Sequence, residues 1–379
     1  KTIFADVQKA VNPAERVYYP VADNKEPIVA IGTDKEVDDP SIEVYFKQDA
    51  TPDSEKNNVG YLASQYMTSM ITSMLNARLS ELTQSANPPF TRAYSSYGNF
   101  FVAKTKEALN LSASSKADGI EKALKVLLQE AERARRFGFT ESEYARARAN
   151  YLQRLESAYN EREKTKHVRN FLDAEPSPGI ETEYAMMNQL APNLPVQAIN
   201  MAIQQLVPDS NQVVIIAGPE KEGLKYPQKE EVIALLKGMK SLDLQPYVDK
   251  VSDEPLMKEA PKGGKIVSEK EGDIYGSTRL VLSNGVTVYV KKTDFKADEI
   301  RMKGTSLGGK SIFPDKDALN FAVMDNVVAV GGLGNFSQVD LTKVLAGKKV
   351  SVNAGLGATT ENVFGTCSPK DFETMIKTL

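Results

Sequence analysis

Between Gly218 and Gly276 the sequence loses its apolar periodicity and fills with Lys, Glu, Asp, Pro and Gly, and that stretch limits how the whole chain can fold. Pro219, Pro227, Pro246, Pro255, Pro261 and the pair Gly263-Gly264 punctuate it. Only Glu230 to Met239 reads as a short helix, with Val232, Ile233, Leu235, Leu236 and Met239 on an apolar side. Such a composition buries too little surface to offset the entropy of ordering, so it is expected to act as a tether over other surfaces. A chain of 379 residues is too long for one ordinary core. The expected organisation is two globular pieces, 1–217 and 277–379, with a linker over 218–276.

Hydrophobic residues at 41% and charged residues at 26% are ordinary for a globular protein. A net charge of -3 with both signs interspersed offers no clustered basic face for a nucleic acid. No apolar run approaches the roughly 20 residues of a membrane span, and no signal peptide is visible. The single Cys367 excludes an internal disulfide and a cysteine zinc cluster. Lys1 is not an initiator, and a helix opened by Ser368 and Asp371, with Phe372, Met375, Ile376 and Leu379 on one side, meets no stop signal. The chain is therefore expected to be an excised piece.

In the first piece, Glu26 to Asp34 and Ser41 to Lys47 read as strands around the turn Asp38-Asp39-Pro40. Glu55 to Gln84 reads as a long helix with Val59, Leu62, Tyr66, Met70, Met74, Leu75, Leu79 and Leu82 on one face. Thr91 to Tyr97 and Leu109 to Ser115 follow as strands. Asp118 with Glu121 and Thr140 with Glu143 read as capping boxes opening two more helices, the first stopped by Gly138 and the second running to about Leu172. Glu181 to Gln189 and Val196 to Leu206 are further helices. Gln212 to Ala217 is nearly all apolar and belongs inside a sheet. Strands and helices in separate runs indicate an α+β layer, with helices on one face of a mainly antiparallel sheet.

The second piece opens on alternation into and out of Asn284-Gly285, which predicts a type I′ hairpin over Thr278 to Lys291. Glu299 to Thr305 reads as a strand, Asp315 to Val330 as a helix ended by Gly331-Gly332, and Ser337 with Asp340 as the start of a short capped helix. Lys349 to Gly357 and Thr359 to Thr366 alternate as strands. This piece is also α+β.

Taken in order, these motifs resemble the pitrilysin/insulinase family of zinc metallopeptidases, the inverzincins. The first piece carries Met74-Leu75-Asn76-Ala77-Arg78-Leu79 with Pro89-Phe90 beyond, Thr140-Glu141-Ser142-Glu143-Tyr144, and Glu175-Pro176-Ser177-Pro178-Gly179-Ile180-Glu181. The second carries Leu282-Ser283-Asn284-Gly285-Val286, Gly308-Gly309, and Asp340-Leu341 through Leu345-Ala346-Gly347. The resemblance implies repeated α+β units, two per half, closing like a clamshell around a peptide. Residues 1–217 match the second unit of the N-terminal half and 277–379 the opening unit of the C-terminal half.

The family's chemistry needs a helix bearing H-x-x-E-H, in which two histidines hold zinc and the glutamate activates the metal-bound water. The chain has one histidine, His167, and the matching helix reads Ala322-Val323-Met324-Asp325-Asn326. No catalytic, cofactor-binding or metal-binding residue is therefore assigned, and zinc is expected in the full-length protein but not in this stretch. The catalytic unit is expected before Lys1, and the substrate-holding Arg and Tyr beyond Leu379.

Plainer explanations suit the remaining candidates. His167 sits among Lys164, Lys166 and Arg169 as a surface residue would. Gly331-Gly332-Leu333-Gly334 follows a helix and lacks the Lys of a phosphate loop. Arg133, Arg135 and Arg136 read as a solvated helix end that suits the dipole. Cys367 has no neighbouring His to activate it, the Met67, Met70, Met74 stripe reads as core, and Asp325 has no metal to serve.

Three functions fit: the non-catalytic middle of a zinc endopeptidase, inactive alone and providing chamber wall and hinge; a family relative without catalysis that acts as a scaffold or assembly subunit; or a peptide-binding module using a sheet edge. The first ranks highest. A peptide substrate is its implied partner, and export to the periplasm its implied location.

Overall fold

The computed structural model describes residues 6–8, 11–14, 17–162, 170, 172–259, 261–272 and 275–379, with backbone alone for 322 and 325. His167 and the 163–169 part of the expected long helix lie outside the described residues. In chain order the elements are β1 (Ile28–Asp34), β2 (Ser41–Asp49), α1 (Val59–Thr83), β3 (Arg92–Asn99), β4 (Lys106–Ser114), α2 (Ile120–Phe137), α3 (Glu141–Asn160), α4 (Ile180–Asn193), α5 (Val196–Leu206), β5 (Gln212–Pro219) and α6 (Lys229–Gly238). There follow β6 (Ile266–Glu271), β7 (Thr278–Leu282), β8 (Thr287–Val290), β9 (Ile300–Leu307), α7 (Ala318–Gly331), α8 (Gln338–Val344), β10 (Val350–Leu356), β11 (Thr360–Cys367) and α9 (Phe372–Thr378). Two compact units result, each drawn from separate stretches of chain: Lys1–Phe139 with Gln197–Tyr247, and Thr140–Val196 with Val248–Leu379.

The first unit is built on one sheet in the order β1-β5-β2-β4-β3, antiparallel except for β1 with β5. β5 lies in the interior of that sheet, as its apolar run requires, with Val214 and Ile216 fully buried. α1 packs on β3, α2 packs on β2 and β4, and the two helices touch each other, so both cover one face. Tyr66, Met70, Ile71, Met74, Leu75 and Leu79 of α1 and Leu124, Leu127 and Leu128 of α2 fill the space between. Met70 and Met74 are thus core, as their spacing indicates. The expected Asp118 cap does not form: α2 starts behind Gly119 with no side chain on its N-terminal amides.

The tether expectation fails for the first half of the linker. Residues 218–247 are part of the first unit, where α6 packs against β1 and buries Val232, Leu236 and Met239 with Leu244 beyond. The helix was legible, but the number of apolar contacts it makes was not.

In the second unit α3 opens on the expected capping box, Thr140 accepting from the Glu143 amide while the Glu143 carboxylate accepts from Thr140. α3 and α4 pack together, and Tyr144 donates to the Leu194 carbonyl at 2.8 Å. Two three-stranded antiparallel sheets follow, β6-β7-β8 and β10-β11-β9. β6 comes from the linker, where no strand was expected.

The hairpin turn also differs from expectation. Leu282 and Val286 bracket Ser283-Asn284-Gly285, and Gly285 alone has positive φ, at 87°. A three-residue turn with glycine in the left-handed position replaces the type I′ turn, which needs positive φ at Asn284 as well.

On the β10-β11-β9 sheet, register puts Val350, Val352, Ala354, Val363, Gly365 and Cys367 on one face, towards α7 and α9. Ser351, Asn353 and Thr366 point the other way, the alternation the sequence announced.

Candidate functional site

The helix that the sequence resemblance aligns with the zinc motif is α7, and Ala322-Val323-Met324-Asp325-Asn326 lies in its middle. Among the described residues no group of three or more His, Cys, Asp or Glu is placed to hold a metal ion. Gly331 to Gly334 forms the turn that ends α7: Gly332 has φ of 83°, and Leu333 pairs with Phe336 through both backbone hydrogen bonds. A Cβ on Gly332 would lie 2.0 Å from the Phe336 carbonyl oxygen, so glycine is required there for close packing. Cys367 is fully buried, and burial followed by the nearby Asp371 charge pushes its thiol pKa up, as for an inert core cysteine.

Polar side chains do converge on the linker, and sequence reasoning missed them. Arg133, Arg135 and Arg136 are not the solvated end expected of them. Arg136 donates to the Leu242 carbonyl at 2.8 Å and to the Met239 carbonyl, and Arg133 donates to the Gln245 carbonyl. Their charges are met by buried carboxylates on the same helix: Glu130 lies 2.9 Å from Arg133, and Glu132 lies 2.8 Å from Arg135 and 2.6 Å from Arg136. A guanidinium has several donors in a fixed fork, so one arginine can answer a carboxylate and linker carbonyls together.

Arg78 continues this attachment. Its guanidinium is buried, donates to the Gly138 carbonyl at 3.0 Å, and lies 4.8 Å from the Phe139 ring centre and 4.3 Å from that of Tyr247. The Tyr247 hydroxyl donates to Glu81, 2.8 Å away and one helical turn from Arg78. Asn200 accepts from the Phe139 amide at 2.8 Å and donates to its carbonyl at 3.1 Å. Phe139 and Tyr247 are the last residues of the first unit's two stretches of chain. Arg78 stands in the sequence motif that carries the family resemblance, and that was the one available hint of its role.

The second unit has an anchor of its own just after Tyr247. Asp249 accepts from Arg146 at 2.8 Å, from Lys343 at 3.1 Å and from the Ser142 hydroxyl, its side chain only 4% exposed. Burial disfavours its charge, but the three donors outweigh that and hold its pKa below the usual carboxylate value. Asp298 is a second such point, taking Ser157 at 2.7 Å and Lys349 at 3.1 Å; there too burial is outweighed and the pKa lies low.

Residues 1–151 match the peptidase M16 inactive domain family. With the motif order and the repeated α+β layers, this match agrees with the resemblance to the pitrilysin/insulinase zinc metallopeptidases that the sequence motifs carry. Among individual proteins, the chain is 24% identical over 371 residues to a zinc protease PQQL-like protein of Arabidopsis thaliana, a match covering 96% of this chain and 35% of that one. Its fold is similar to the periplasmic protease PqqL of Escherichia coli, with a TM-score of 0.57 at 20% identity over 97% of this chain and 41% of the other. It is also similar to pitrilysin, with a TM-score of 0.57 at 13% identity over 96% of this chain and 38% of the other. The chain spans about a third of the length of the Arabidopsis relative.

Proposed function

We propose that this chain is the non-catalytic middle portion of a zinc endopeptidase that hydrolyses peptides enclosed between two halves. In this reading residues 1–217 form the second unit of the N-terminal half, 218–276 join the halves, and 277–379 begin the C-terminal half. Zinc is held by another unit, this stretch cleaves nothing by itself, and the protein works in the periplasm or an equivalent exported compartment, where the E. coli relative is found.

The reading rests on α7, which the motif order aligns with the family's zinc helix and whose sequence has Ala322, Asp325 and Asn326 at the positions of the two histidines and the glutamate. The anchors on the linker add to it. Arg136 holds the Leu242 carbonyl, and Arg146 and Lys343 hold Asp249, so the middle of the linker is fixed in place.

The test is peptide cleavage with a broad set of quenched fluorescent peptides. The 379-residue chain with added zinc is expected to show no turnover above buffer. A longer gene product that includes an H-x-x-E-H unit is expected to cleave, to stop on chelation and to recover with zinc. Chelator-sensitive cleavage by the 379-residue chain alone would overturn the assignment. Absence of H-x-x-E-H from the whole gene would make the protein a scaffold and turn attention to its assembly partners.

A further inference from the structure

The two units share a series of elements: β1, β2, α1, β3, β4, α2 in the first and β8, β9, α7, β10, β11, α9 in the second. In the first, β2 pairs antiparallel with β4 and β4 with β3; in the second, β9 pairs antiparallel with β11 and β11 with β10. β9 therefore has the place in its sheet that β2 has in the other. On the side turned away from the helices, β2 carries Glu43, Tyr45 and Lys47, and β9 carries Arg301, Lys303 and Thr305.

In the first unit the polar groups of that face are answered within the sheet and its surroundings. Lys47 is 2% exposed and donates to the Ala22 carbonyl at 2.7 Å, and Glu43 accepts from the Tyr45 hydroxyl. The second unit's face is different. Across β10, β11 and β9 its rows are Ser351, Thr366 and Arg301, then Asn353, Phe364 and Lys303. Both cations are exposed, Phe364 is 45% exposed, and these three strands place no aspartate or glutamate on this side. Lys303 lies 5.6 Å from the Phe364 ring centre and has no carboxylate partner among the described residues. Arg301 gives its Nε to Glu299, 2.6 Å away and just ahead of the strand. Its terminal nitrogens, the open end of the guanidinium fork, meet no acceptor among the described residues.

We propose that this face binds an extended acidic polypeptide segment, with carboxylates of alternate residues on Arg301 and Lys303 and their stems against Phe364. Arg301 and Lys303 are alternate residues of one strand, so their side chains start about 7 Å apart, and alternate side chains of any extended peptide repeat that spacing. Ser351, Asn353 and Thr366 stand beside them with both donors and acceptors, which a peptide backbone needs. Two cations suit a nucleic acid poorly, since its binding rests on a longer row of phosphate contacts and the chain's net charge is -3. The same face of a second copy would set like charges against each other. The proposal stands on this sheet alone and is independent of whether the whole protein cleaves peptides.

The test is fluorescence anisotropy on the 379-residue chain. The probe is a labelled peptide of about a dozen residues, long enough to run past β9, with glutamate at every second position and serine, threonine or glycine between. Glutamine and lysine versions of the peptide and an oligothymidine are the comparisons. The glutamate peptide should bind at least about tenfold more tightly than the glutamine peptide, and salt should erode the difference. Arg301→Gln with Lys303→Gln should cut that preference at least about fivefold. Lys122→Gln with Lys125→Gln, the same loss of charge at exposed positions of α2, should leave it unchanged. Arg301→Glu with Lys303→Glu should transfer the preference to the lysine peptide, a gain that misfolding cannot imitate. No binding, equal binding of the glutamate and glutamine peptides, or equal losses in the two glutamine-substituted chains would overturn the proposal. Stronger binding of oligothymidine than of the glutamate peptide would overturn it too, and would make the face a nucleic-acid site.

Discussion

β2 and β9 occupy the same place in the two units, yet they differ in burial. β2 has β4 on one side and β5 on the other, and Ile42, Val44 and Phe46 are buried to 0%, 1% and 2% exposure. Among the described residues β9 has β11 alone, and Leu307 at its end is 88% exposed. Both strands have good local propensity and an antiparallel partner. What separates them is a second neighbour, so strand formation here is a local property while core formation belongs to the sheet.

The largest expected effect breaks this comparison in the first unit. Ile216→Asp puts a carboxylate in the middle of β5, where the native side chain is fully buried. An unpaired buried charge costs on the order of 4 kcal/mol or more, so the first unit should be unfolded or nearly so. Leu307→Asp in β9 should cost below about 1 kcal/mol, because that side chain is 88% exposed. Urea titrations followed by circular dichroism compare the two. Equal losses would mean that β9 is already part of a closed core.

Next is Asp249→Ala, which removes the acceptor shared by Arg146, Lys343 and Ser142. Breaking a buried ion pair from one side costs about 3 kcal/mol, and the loss should fall on the second unit. Acid should act on the same group. Its folded pKa is depressed, so its stabilising contribution is present above the ordinary carboxylate pKa of about 4 and disappears as pH falls through the lower folded value. Asp298 adds to the loss in the same direction. The midpoint of unfolding should therefore fall below about pH 4 in the native chain, and fall less steeply in Asp249→Ala. An identical pH profile for the two would remove Asp249 from the account.

A smaller effect is expected at Gly138, where α2 stops. Its φ is 69°, and a Cβ would lie 2.3 Å from the Asn200 side chain that holds Phe139. Gly138→Ala should cost about 2 kcal/mol from positive φ plus displacement of Asn200. Asn200→Ala should remove most of the steric part while losing two hydrogen bonds, so the double variant should cost less than the sum. Strict additivity in the double-mutant cycle would mean that the two residues do not touch in solution.

The sequence made these elements legible because periodicity, caps and glycine stops are local. β5 was recognisable as an interior strand from Gln212 to Ala217 alone, and the capping boxes at Thr140 and Ser337 form as written. The anchors were not legible, for a physical reason. Arg136 and Met239 are about a hundred positions apart, and nothing in a run of charged helix residues tells whether the charge meets water or a distant carbonyl. The linker misled for the opposite cause: its average composition is that of a tether, but the few apolar residues Val232, Leu236, Met239 and Leu244 suffice to dock it. With a single histidine, these 379 residues contain no H-x-x-E-H, a reading that needs only the sequence.

The smallest expected effect tests the hairpin that leads into β8. A type I′ turn would have both Asn284 and Gly285 at positive φ, so replacing either should weaken it by about 1 kcal/mol. In the observed three-residue turn only Gly285 is left-handed, at φ of 87°, while Asn284 accepts from the Val286 amide at 3.1 Å. Gly285→Ala should therefore cost about 1 kcal/mol, and Asn284→Ala only about 0.5 kcal/mol for an exposed hydrogen bond. Exchange rates of the β7 and β8 amides measure both. Because β8 pairs on one side only among the described residues, a weakened turn should free its amides before those of β7, which β6 also holds. If both strands opened together, β8 would already be protected from its far side, and the contrast between β9 and β2 would then need another cause.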